Sequence, residues 1–209
     1  MRCQIQIAVY DWPMRTAIST IASRAVSGAR DLVLNQPASL GDSDCEALHS
    51  GFFSQPVNAV TSLSFLGVGM WAATRVPSLQ REERAAASVF AAIVALNGVG
   101  SVAYHGPQFP GAQTLHDLPA YGVVVMSAAV PLWRKLRGRK AFPGWTGAKG
   151  FGLLATNSLA VVSYVEGRSA SRMCDPDSWV QFHGLWHLST AAVMAIWATV
   201  LWPEVLDDV

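Results

Sequence analysis

Charge is scarce in this chain of 209 residues. Asp, Glu, Lys and Arg make up 14% of it, against roughly a quarter in an ordinary soluble domain. The formal net charge is +1, so the chain carries no electrostatic footprint for nucleic acid, and none is expected as a partner. Cysteine is scarce too: Cys3, Cys45 and Cys174 are the three, and no CxxC pair exists among them. That disfavours a cysteine zinc site. The pattern of a signal peptide is missing, and no linker suggests a second domain.

Apolar residues are plentiful, at 51% of the chain. Runs near the ~20 residues needed to cross a bilayer recur. Several of the eight tryptophans stand near the ends of these runs, as an aromatic belt would place them. The expected fold is all-α: a polytopic transmembrane helix bundle of about five spans, integral to a membrane. The spans are expected at about Pro56 to Thr74, Ala85 to His105, Thr114 to Trp133, Lys149 to Val165 and Ser178 to Trp202. Residues 1–45 are too polar to span and form an N-terminal extension, and 46–209 hold the bundle. Between Met14 and Val33 the apolar Ile18, Ile21, Ala22 and Val26 oppose Arg24. This reads either as an interfacial amphipathic helix or as a poorly ordered extension.

Loop charge orients the bundle. Arg134, Lys135, Arg137, Arg139 and Lys140 fill one loop, and Arg75, Arg81 and Arg84 another. The stretch 105–113 has no Lys or Arg. Basic loops stay in the cytoplasm, which places the N-terminus outside. Cys45 and Cys174 then share the outer side, where an oxidising compartment would allow a disulfide; two unpaired thiols are the other reading.

The same topology gathers the histidines. His105 ends the second span, His116 and Asp117 begin the third, and His183 and His187 begin the fifth, all at one level. The last two are four apart and so share a helix face. Imidazoles buried without partners are costly in a membrane, and a shared metal ion is the simplest partner. His105, His183 and His187 make a three-histidine zinc set with one position open for water. Bound Zn2+ lowers the pKa of water to about 7. Asp117 is placed to accept that water's proton. Ser101, one turn before His105, is placed to orient a ligand or to donate to an oxyanion. Histidines also bind haem, but a flat macrocycle takes its ligands from opposite faces, so an i, i+4 pair on one helix suits zinc better.

Three blocks carry a resemblance: CEALHSGFFSQPVNAVTS, GSVAYHGPQFPGAQTLHDLP and QFHGLWHLSTA. From about Cys45 to Ala191 the chain resembles the alkaline ceramidase family. That family lies within the CREST superfamily of membrane zinc hydrolases, which also holds progestin/adiponectin-type receptors and proteins that remodel GPI anchors. The family pattern is a Ser four residues before a His, an Asp near the start of the next helix, and HxxxH on the last. Ser101 and His105 match the first pair, and His183 and His187 the last.

The resemblance implies hydrolysis of the amide bond of a ceramide-like membrane lipid, with that lipid as partner. It also implies a disulfide between Cys45 and Cys174. The receptor-like relatives leave a second reading, a zinc-containing membrane protein without turnover. Aligned on the Leu-Pro after the family's Asp, His116 takes the acid position; a one-residue loop insertion restores Asp117. Only Cys45 and Glu46 match the family's acidic calcium cluster, with Gln55 near the Glu that precedes its first helix, so the resemblance does not extend to calcium. The family usually has seven spans.

Overall fold

The computed structural model describes residues 40–203. The expected extension at 1–45, with its Met14–Val33 segment, lies almost wholly outside them. Five α-helices form: α1 Pro56–Arg75, α2 Arg81–His105, α3 Ala112–Leu136, α4 Gly147–Glu166 and α5 Phe182–Leu201. No strand joins them among the described residues; an isolated bridge pairs Asp44 with Arg168. At 20 to 25 residues the helices are about 30–37 Å long, against a hydrocarbon core of about 30 Å. Four are long and apolar enough to cross a membrane: α1, α2, α3 and α5. The expected fourth span is a helix of 20 residues, but polar Thr156, Asn157, Ser158 and Ser163 interrupt it, and it is not among those four.

Local chemistry sets the helix ends. Pro56 opens α1 at its first turn, where a missing N–H costs little. The buried Glu46 carboxylate reaches over from the preceding segment and accepts from Val57 N at 2.6 Å and Asn58 N at 2.8 Å. Helix α2 starts four residues before the expected Ala85 because Glu82 and Glu83 favour its first turn. Arg134 and Lys135 extend the last turn of α3 for the complementary reason. Helix α5 starts later than the expected Ser178. The Gln181 amide donates to the carbonyls of Asp175 (3.0 Å) and Ser178 (2.8 Å) and holds that entry as a turn.

Helix α1 packs against both α2 and α5, α2 against α3, and α4 against α5. Small residues let α1 and α2 approach closely. A Cβ at Gly69 would meet Ala95 N at 2.5 Å, and one at Gly98 would meet Leu66 N at 2.5 Å. Such contacts drive helix association in lipid, where burying apolar surface gains nothing. Leu118, Val124, Val125 and Leu132 of α3, with Phe151, Leu154, Val161 and Val162 of α4, are exposed. An aqueous surface would not carry that much apolar area; a membrane helix presents it to lipid.

The segment before α1 is tied across the histidine-bearing end. Cys45 and Cys174 form a disulfide with Cα atoms 5.4 Å apart. Backbone bonds run from Cys45 N to Gly167 O (2.8 Å), Ser169 N to Ser43 O (3.0 Å) and Ala47 N to Pro176 O (3.0 Å).

Candidate metal centre

His105, at the last turn of α2, and His183 and His187, in the first two turns of α5, come together. One ring nitrogen from each lies within 4.8 Å of those of the other two. Ring centroids are 5.0 Å apart for His105–His183, 5.1 Å for His105–His187 and 4.7 Å for His183–His187. All three are buried, at 0%, 5% and 0% exposure.

Hydrogen bonds settle which nitrogen two of the three rings offer. Gln55 is fully buried, and its amide nitrogen donates to Gly41 O (2.9 Å) and Glu46 O (3.0 Å). Its Oε1 is therefore the atom facing His105 Nδ1 at 2.7 Å. A carbonyl oxygen can only accept, so His105 carries its hydrogen on Nδ1 and its Nε2 is a bare lone pair. On His187, Nδ1 faces Thr61 Oγ1 at 3.1 Å. The Thr61 hydroxyl donates to Val57 O at 2.8 Å, so its oxygen accepts from His187. That leaves His187 Nε2 as the lone pair, 3.4 Å from Ser101 Oγ. On His183, Nδ1 lies 3.2 Å from Asp44 Oδ1, although the contact lacks the alignment of a hydrogen bond.

His105 Nε2 and both His183 nitrogens are buried without a hydrogen-bond partner. A buried unpaired polar atom costs about 1–3 kcal/mol, and a protein with several such atoms in one spot has a use for them. Three converging imidazoles, with the Nδ1 atoms of His105 and His187 held by an amide oxygen and a hydroxyl and that of His183 facing a carboxylate, form a donor set suited to a metal ion. The group can hold one.

Asp44 was not visible as a site residue. It is 5% exposed, with Oδ1 2.8 Å from Arg168 Nη1 and Oδ2 4.0 Å from His105 Nδ1. Burial pushes its carboxyl up to about 6, and the Arg168 guanidinium pulls the other way. Its only signal was its place beside Cys45, whose disulfide partner lies close ahead of α5. Gln55 was equally silent as a functional residue. It stood out for its place near a family Glu, and it supplies an acceptor to His105.

The other expected residues divide. Ser101 is buried at the centre, its Oγ 2.7 Å from Ser62 Oγ, and Ser62 Oγ is 2.7 Å from Asn58 O. A chain of hydroxyls therefore leads from Ser101 to a backbone carbonyl. His116 and Asp117 pair with each other at 2.7 Å on α3, with side chains 19% and 33% exposed. The His116 ring lies 6.2 Å from that of His105 and 4.7 Å from that of Tyr104. No hydrogen bond or ion pair joins Asp117 to the three histidines. Among the described residues, the carboxylate that reaches them is that of Asp44.

Fold and site together define the class: a helical bundle with membrane-crossing helices and a buried three-histidine centre near one end. No family model, curated protein or solved structure matches the chain, so its function has to be inferred from the geometry and the sequence motifs.

Proposed function

We propose that the chain is a zinc-dependent membrane hydrolase that cleaves the amide bond of ceramide-like lipids. The observation that carries the reading is the set of three buried imidazoles at one end of helices long enough to cross a membrane, with Gln55 and Thr61 holding the Nδ1 atoms of His105 and His187 and Asp44 beside that of His183. Imidazole donors suit zinc among the divalent ions, and three protein ligands leave one tetrahedral position open. When bound, zinc supplies Lewis acidity and lowers the pKa of water to about 7.

The chain's own residues have separate tasks. Gln55 and Thr61 fix the ring tautomers of His105 and His187. Asp44, anchored by Arg168, orients His183. Asp117 receives the proton of the attacking water as its oxygen bonds to the carbonyl carbon. It returns that proton to the nitrogen as the C–N bond breaks, giving a fatty acid and an amine. Ser101 donates its hydroxyl to the oxygen that gains charge, once Ser62 no longer accepts it. Located at the bundle end, the site meets a lipid linkage at interfacial depth.

The test is elemental analysis of the purified protein combined with turnover of a labelled ceramide. His183→Ala and His187→Ala are expected to lose the metal and all turnover; full hydrolysis by either sinks the proposal. One observation favours a second reading. The histidines are shielded from solvent, with none more than 5% exposed, as an ion held only for stability would be. A protein that holds zinc stoichiometrically and turns over no ceramide or phospholipid analogue would fit that receptor-like or structural role.

A further inference from the structure

The opposite end of the bundle holds a second polar assembly that the metal centre does not use. Glu83 is 22 residues before His105 on α2, about 33 Å along the helix. Its buried carboxylate takes Arg134 Nη2 at 2.7 Å and Nε at 3.2 Å, Arg139 Nη1 at 2.9 Å and Trp202 Nε1 at 3.1 Å. The ends of α2, α3 and α5 meet at this one group. Beside it is a cavity of about 160 Å³, lined by Arg134, Arg139, Lys140, Glu83 and Trp202 among others.

Two features of this cavity point to an anion. Its lining carries three cations against one carboxylate. Arg139 also reaches Gln80 Oε1 at 2.8 Å and Glu82 Oε1 at 3.5 Å, whereas Lys140 pairs with no acid among the described residues and carries the surplus charge. Independently, the Arg134 side chain is only 4% exposed, and its Nη1 is buried with no hydrogen-bond partner. A guanidinium has five donors and no acceptor, and Glu83 uses two of those on Arg134. An unmet charged donor beside a cavity with surplus positive charge suits a phosphate, which Arg recognises through paired N–H groups. Basic pockets between membrane helices take lipid headgroups for this reason.

We propose that this cavity binds a phosphate-bearing anion, through Arg134, Arg139 and Lys140. Arg134 is too deeply tied to Glu83 to be the first residue changed. The half-exposed rim serves instead, as Arg139→Gln/Lys140→Gln. The full chain in detergent is offered phosphatidylglycerol or phosphatidylcholine, and retention is read by native mass spectrometry. Wild type is expected to retain phosphatidylglycerol preferentially. The double variant, with its thermal transition unchanged, is expected to lose about 25-fold, from roughly fivefold per removed cation.

A titration of inorganic phosphate into protein held in phosphatidylcholine nanodiscs then separates the sources. Heat that vanishes in the variant assigns the site to a soluble phosphate ester. Lipid selectivity without such heat assigns it to a headgroup. Equal retention of the two lipids by wild type with no phosphate heat overturns the proposal, as does a variant that binds like wild type.

Discussion

The Gln55 amide offers the sharpest test of the metal centre, because its two ends do different work. Oε1 accepts from His105 Nδ1, while Nε2 donates to Gly41 O and Glu46 O. Gln55→Leu keeps the size and removes both functions. His105 then loses the acceptor that fixes its tautomer, and losses of this kind weaken metal binding by about 10–100-fold. Two buried carbonyls lose their donor as well, and each costs on the order of 1 kcal/mol of stability.

Gln55→Glu separates the two effects. A carboxylate accepts from His105 at least as well, but it cannot donate, and it faces the two carbonyl oxygens instead. Zinc affinity should be kept or raised, while the melting transition falls by an amount similar to that of the Leu variant. The measurements are chelator competition for zinc and thermal unfolding of each variant in the same detergent. Zinc affinity for Gln55→Leu within about twofold of wild type would refute the reasoning, since the acceptor behind a metal-binding imidazole is expected to act more strongly than that. Parallel loss of affinity in both variants would also refute it, because it would mean that folding alone is being read.

Other expectations rest on the same geometry. Asp44→Asn should weaken zinc binding by about tenfold, the low end for an outer partner. Asp117→Asn should leave zinc affinity unchanged and lower ceramide turnover by about 10²–10⁴-fold; the reverse pattern would exchange their roles. Reducing the Cys45–Cys174 disulfide, which closes a separation of 129 residues, should cost about 2–5 kcal/mol. It should also speed zinc loss in chelator, because Asp44 is fastened by that bond. Glu46→Ala removes the acceptor of Val57 N and Asn58 N and should cost about 1–2 kcal/mol, seen as a lower melting temperature.

Much of this architecture was legible in the residue pattern. Apolar runs marked α1, α2, α3 and α5, because helices that can cross a membrane are apolar on most sides and need no periodicity to be recognised. The i, i+4 spacing of His183 and His187 put both on one face, and His105 arrived at their level through the alternation of spans. What stayed hidden was contributed by the tether. Residues 40–55 have no helix of their own, so no period locates Asp44 or Gln55. Asp44 is placed by a disulfide and by bonds to residues more than a hundred positions away, and Gln55 by its backbone bond to His105 O and its side-chain bonds to Gly41 and Glu46. Helix α4 stands apart for a different reason: its length suits a span and its composition less so.

The span count bears less on the centre than it first suggests. His105 comes from α2, and His183 and His187 from α5. The groups that face their Nδ1 atoms are Gln55, Thr61 of α1 and Asp44 of the tether. Helix α1 packs on both α2 and α5, so three helices and one stapled segment build the whole donor set. Neither α3 nor α4 supplies a ligand. A bundle with fewer spans than the seven usual in the resembled family can therefore leave the metal set intact. The difference falls on what surrounds the lipid instead, since α3 and α4 carry so much of the exposed apolar surface and Asp117 stands on α3. A replacement of Leu118 by Ala, on the exposed face of α3, should accordingly change chain-length preference in turnover while zinc content stays at wild-type level. Metal loss in that variant would mean that α3 supports the centre after all.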